Sequence, residues 1–212
     1  MHRYQILIEY VGTPFVGWQI QKKGKSVQKT IQLTLSKLLK QKIILYGSGR
    51  TDAGVHSLEQ SAHFDVKNKI QNIDKIIKSL NFFLNKKMIS IINIKKKNTN
   101  FHARHSAKER IYLYIINNRY SPSTINKNRE WHIRKKLDIS LIKKGAKKLV
   151  GTHDFSTFRA SNCSAKSPIK TINKIIISKS KNRIKLKFKS KSFLKNQVRS
   201  MVGCLKYLGE KK

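Results

Sequence analysis

The apolar residues of this chain switch period several times, and that switching limits the folds open to it. Residues 3–10 alternate apolar and polar side chains at the period of a strand. Residues 26–40, SVQKTIQLTLSKLLK, then set Val27, Ile31, Leu35, Leu38 and Leu39 on one helical face, with Ser26 placed to cap it. A short strand, IILY, leads into a glycine-rich turn. SAHFDV alternates again, IDKIIKSLNFFL returns to helical spacing, and MISIINIK closes the half as a strand. The second half has a similar pattern: strand ERIYLYIIN, a polar loop around SPST, and helix DISLIKKGAKKLV. The strands TINKIIISKS and NRIKLKFKSK follow as a hairpin with Asn182 near its turn, then a helix from about Phe193 to Leu208. This order predicts an α+β fold, with two similar β/α halves, 1–105 and 106–212, around a shared, mainly antiparallel sheet with helices on one face.

A chain of 212 residues can bury one large core or two small ones. Its longest apolar runs, such as IIL at 43–45 and III at 175–177, fall far short of the roughly 20 residues a bilayer demands. No membrane span is predicted. The N-terminus alternates from its start and lacks the apolar core of a signal peptide, which predicts a cytoplasmic protein. Cys163 and Cys204 lie far apart and outside any zinc-type spacing, and read as reduced thiols.

Lys and Arg number 47 against 10 Asp and Glu, a formal charge of +37 that suits a polyanionic partner. Lysine is inflated by the A+T-rich coding bias that also explains the abundant isoleucine and asparagine. The arginines at 3, 50, 104, 110, 119, 129, 134, 159, 183 and 199 resist that bias and are better witnesses to nucleic-acid binding. In NRIKLKFKSK, lysines alternate with Ile184, Leu186 and Phe188, so one face is apolar and the other cationic. That cationic face either lines an RNA cleft or meets water, and both readings stay open.

GSGRTDAGVH, residues 47–56, has glycines that permit positive φ and close approach, but neither P-loop nor dinucleotide-loop spacing. A carboxylate on a polyanion-binding surface repels phosphate, so Asp52 needs a role. Two are open: capping the turn through its side chain, or attacking an electrophilic carbon while a cation holds it ionised. Arg50 could be that cation, as could Arg199 if the fold brings it near. His102 and His105 are spaced i, i+3 but lack acidic or thiol companions, and no metal is expected. No GxSxG elbow is present.

The longer segment GSGRTDAGVHSLEQSAHFD, residues 47–65, resembles the signature of the bacterial tRNA pseudouridine synthase A family. Further pieces follow in family order: GWQIQ with SVQ, FHARHSAKERIYLYII, HDFSTFR and FLKNQVRSMVGCL. The resemblance covers nearly the whole chain. It implies the pseudouridine synthase fold with a central cationic cleft, and isomerisation of uridine to pseudouridine in the anticodon stem-loop, at tRNA positions 38, 39 and 40. It also implies no cofactor and a cytoplasmic homodimer.

Carried over by motif, Asp52 is the nucleophile, Tyr112 stacks on the target base, Arg199 pairs with the nucleophile and Arg50 holds the flipped nucleotide's place. The physics suits these roles. A stacked base must leave its helix before its glycosidic bond can break, and a buried carboxylate needs a paired cation to stay charged. Val11, His105 and Gln197 stand where the family usually has an acidic, an aromatic and an apolar residue. The chain also ends at GEKK, where family members continue into a further helix and strand, so the C-terminal half reads as truncated. The rival reading is a non-catalytic tRNA-binding or RNA-chaperone-like protein.

Overall fold

The structure is a computed structural model that describes residues 1–211. The chain divides into two compact units, Met1–Ala107 and the residues from Lys108 onward.

The first unit runs β1 (His2–Tyr10), α1 (Val27–Leu38), β2 (Tyr46–Gly47), β3 (Ser57–Val66), α2 (Ile73–Leu84) and β4 (Ile89–Lys97). Its strands pair antiparallel in the order β2-β3-β1-β4. The alternation of β1 puts Tyr4, Ile6, Ile8 and Tyr10 into a core with Phe64, Ile91 and Ile94, closed by Val27, Ile31 and Leu35 of α1 and by Leu80 and Leu84 of α2. Ser26 caps α1 through Lys29 N at 3.3 Å, and Asn72 caps α2 through Lys75 N at 2.8 Å.

Of the expected strand IILY, only Tyr46 pairs. Ile43 and Leu45 are buried, but side chains of α1 satisfy their backbone. Gln32 Oε1 accepts from Leu45 N at 3.1 Å, Gln28 Nε2 donates to Leu45 O at 2.8 Å, and Ser36 Oγ accepts from Ile43 N at 3.0 Å. A segment whose polar backbone is served this way has no need of a ladder.

The second unit runs β5 (Arg110–Asn117), β6 (Trp131–His132), α3 (Ile139–Lys148), β7 (Gly151–Asp154), β8 (Ile169–Ser180), β9 (Arg183–Ser190) and α4 (Gln197–Gly209), with strand order β6-β5-β9-β8-β7. Among the described residues only β5–β6 is parallel in this sheet. In β9, Ile184, Leu186 and Phe188 are fully buried while Lys185 and Lys187 are exposed, as their alternation requires. Lys181 and Asn182 form the hairpin turn between the paired Ser180 and Arg183. The last helix starts at Gln197 rather than Phe193, because Asn196 takes a left-handed φ of +62° that a helix interior does not accept.

The α+β class and its antiparallel pairing are as read from the sequence. Among the described residues the strands form a four-stranded sheet inside the first unit and a five-stranded sheet inside the second. β1 and β9 each find both neighbours within their own unit. No helix among the described residues is long and apolar enough to cross a membrane.

Candidate active site

Residues 48–56 bridge β2 and β3 in the first unit and are tied down along their length. Ser48 N donates to Ser61 O at 2.8 Å, and Gln60 Nε2 donates to Gly49 O at 2.7 Å. Trp18 N donates to Thr51 O at 3.0 Å, and the hydroxyls of Tyr10 and Thr51 lie 2.8 Å apart. Gly12 N donates to His56 Nδ1 at 3.2 Å. At the tip, Val55 N donates to Asp52 O at 3.2 Å, closing a β-turn whose third residue, Gly54, has a φ of +77°. That is the signature of a type II turn, which calls for glycine there. The end of β1 packs so closely on the loop that a Cβ at Gly12 would lie 2.0 Å from Val55 O.

Asp52 and Arg50 stand solvent-exposed on this pinned loop. The turn is closed by the Asp52 backbone carbonyl. Among the described residues of its unit, the Asp52 carboxylate accepts no hydrogen bond and pairs with no cation. Nor does Asp52 sit in the buried setting that the sequence reading assumed for a nucleophile.

The other two predicted residues belong to the second unit. Tyr112, half-buried on β5, packs edge-on against Phe193 with ring centroids 5.1 Å apart. Tyr114 lies two residues along on the same face. Burial raises its phenol pKa, and the positive charge of Arg199 works against that rise. Arg199, exposed on the first turn of α4, is thus an electrostatic neighbour of Tyr114. Asp52 and Arg50 thus lie on one loop of the first unit, while Tyr112 and Arg199 both belong to the second, Arg199 acting on Tyr114.

The sequence reading missed the residues that fix the loop, above all Tyr10, Gly12 and Trp18. The segment around Tyr10 and Gly12 carried a hint, since an apolar strand ending in a glycine implies close approach by something else. It also missed a chain of ring contacts at the root of the loop. Tyr46 stacks on His63 at 5.0 Å, His63 meets His102 at 4.6 Å, and His102 meets His105 at 4.5 Å.

A family model described as tRNA pseudouridine synthase matches residues 6–106 and 146–212. Arg50, Asp52 and Arg199 fall inside those segments and Tyr112 falls between them. The tRNA pseudouridine synthase A of Pelagibacter ubique (strain HTCC1062) is 66% identical over 212 residues, which cover 100% of this chain and 86% of that protein. The protein of the same name from Paramagnetospirillum magneticum is 43% identical over 212 residues, with 100% and 82% covered. That from Parvibaculum lavamentivorans is 41% identical over 210 residues, with 99% and 85% covered.

Proposed function

The chain belongs to the tRNA pseudouridine synthase family, and from that premise we propose that it isomerises uridine to pseudouridine in the anticodon stem-loop of tRNA, at positions 38, 39 and 40. The observation that carries this reading is the state of Asp52, an exposed carboxylate with no hydrogen bond to make in its own unit, on a loop otherwise fixed at both flanks. Rigid presentation of an uncommitted nucleophile is what attack on a docked carbon requires.

The reaction keeps every atom of the nucleotide. The bond from N1 to the ribose C1′ breaks, the base turns, and C5 takes the place of N1 while a proton leaves C5 and one settles on N1. No redox change or transferred group is involved, and the residues' task is orientation and charge placement. Asp52 attacks. Arg50, beside it on the loop, fills the place of the flipped nucleotide. Tyr112 gives the base a face to stack on. Arg199 is the cation that this reading assigns to the carboxylate. The same reading takes the protein to be a cytoplasmic homodimer.

Unmodified tRNA transcript incubated with the chain should gain pseudouridine in the anticodon arm, mapped base by base. Asp52→Ala should lower the rate by at least about a thousandfold while retaining tRNA binding. Equal modification by Asp52→Ala would remove Asp52 from the chemistry. Tight tRNA binding with no pseudouridine from the unaltered chain would return the non-catalytic RNA-binding protein instead.

A further inference from the structure

The ring contacts at the root of the loop have an order to them. His63 is buried, covered on one side by Tyr46 and on another by His102, with Phe101 edge-on at 6.1 Å. From there the rings step outward through His102 to the exposed His105, and Tyr46 keeps 45% of its surface in water. The imidazoles are locked. His63 Nδ1 accepts from Ala103 N and His102 Nδ1 accepts from Arg104 N, each at 3.2 Å. The turn that carries His105 closes on itself, with Ser106 N donating to His102 O at 2.8 Å and His102 N to Ser106 Oγ at 3.0 Å. Accepting a backbone N–H requires an unprotonated Nδ1, so the bonds that orient both rings also keep them neutral. Burial pushes His63 down to about 4 and His102 in the same direction.

The surroundings are cationic although these rings are not. Arg3 and Arg104 are near enough to His102 to disfavour its charged form, and Lys97 Nζ lies 5.4 Å from the Phe101 ring centroid. The nearby carboxylate, Asp65, is held by Arg3 through two bonds of 2.8 Å. The neutral, preoriented faces of His63 and His102 inside a positive rim fit a π-stacked group on a polyanion better than a bare phosphate, which would find no charged donor on either ring. A metal fits no better, since two Nδ1 atoms are already engaged and no group of three or more metal-ligating side chains gathers among the described residues. Tyr46 belongs to β2, which runs directly into the loop that carries Asp52.

We propose that Tyr46, His102 and His105 form a stacking platform for an unpaired nucleobase of the tRNA, beside the base that is isomerised. The assignment rests on the tRNA reading above, and its test separates the two. Anticodon stem-loop RNAs carrying 2-aminopurine at one unpaired position at a time are titrated with the full chain in an Asp52→Ala background. At one position the fluorescence should be quenched, and His105→Ala should remove most of that quench. In the chain with Asp52 intact, His105→Ala should raise KM for tRNA about tenfold, the effect of losing one stacked base, with kcat nearly unchanged. His105→Phe should restore both values, because a ring face and not a proton is what the site offers.

An unchanged quench at every position and an unchanged KM in His105→Ala would overturn the platform while leaving the enzyme reading intact. A His105→Phe variant as defective as His105→Ala would overturn it too. A chain that shows the His105-dependent quench yet makes no pseudouridine would keep the platform and sink the enzyme reading.

Discussion

The loop at 48–56 and the β8–β9 hairpin are both polar segments joined to strands, yet they are held in opposite ways. The loop makes its bonds one at a time to partners scattered along the first unit: Trp18 N, the Tyr10 hydroxyl, Gln60 Nε2, Ser61 O and Gly12 N. The hairpin makes a ladder from Ser180↔Arg183 onward, with Ile184, Leu186 and Phe188 turned inward and lysines outward. Ser48, Gly49, Thr51 and His56 of the loop each have a partner of their own. Outward positions of a ladder need only be polar. β9 accordingly carries lysine at Lys185, Lys187 and Lys189, while GSGRTDAGVH holds none. The contrast predicts that substitutions in and under the loop cost far more than those on the hairpin's outer face.

The largest effect should come from Gly12→Ala. Its new methyl would sit 2.0 Å from Val55 O, a backbone atom that moves only with the whole tip. About 3 kcal/mol of stability should be lost in a denaturant titration, and turnover on tRNA should fall about a hundredfold as Asp52 shifts. Gly54→Ala at the tip is the control. It meets no atom within 4 Å and bears only the strain of φ +77°, about 1–2 kcal/mol. Equal losses for the two would mean that the tip is not held by its neighbours.

Next in size is the pH response of the first unit. His63 titrates at about 4 in the folded chain, chiefly because it is buried, with Arg3 and His102 adding to the effect and Asp65 opposing it. Above about pH 6.5 the ring is neutral whether folded or unfolded and contributes no slope. Between pH 6.5 and 4 only the unfolded chain takes up the proton, so stability falls as pH falls, by roughly 1–3 kcal/mol in all. Denaturation midpoints across that range should show the decline. His63→Phe should flatten it, while leaving Ala103 N without its acceptor and the protein less stable at neutral pH.

Tyr10→Phe should cost about 1 kcal/mol, the worth of one buried hydroxyl contact, here to Thr51. Because Thr51 adjoins Asp52, kcat should fall while KM for tRNA stays put. A change in KM alone would make Tyr10 part of the RNA surface rather than a support for the loop.

How much of this was legible in the sequence follows from the same contrast. Helices with a full apolar face and a capping residue were legible, as at Ser26 and α1, since period and cap are local. So was the inward and outward alternation of β9. The two-residue β6 and four-residue β7 have too few positions to show a period, and the start of α4 moved because the left-handed Asn196 leaves no trace in hydrophobic spacing. Asp52 stood out as an acid in a glycine turn of a basic chain. A contact such as Tyr10 to Thr51, 41 residues apart, lies beyond any local pattern.

The smallest predicted effect tests the hairpin side of the contrast. Lys185 and Lys187 point away from the core of the second unit, on the sheet face where Ile111, Leu113 and Ile176 remain 50%, 45% and 38% exposed. Lys189 on the same face already answers Glu109 at 3.3 Å and is best left in place. Lys185→Gln with Lys187→Gln removes two charges without touching a buried group, so stability should stay within about 0.5 kcal/mol of the unaltered chain. If the two lysines are solvated, the dependence of tRNA affinity on salt should keep its slope. If both neutralise phosphates, the slope should shallow by about 1.4 to 1.8. We expect the first result, because a position that needs only to be polar accepts lysine without selecting for it. A shallower slope with unchanged kcat would make β9's outer face part of the tRNA path, and its period would then carry function as directly as the loop's individual bonds do.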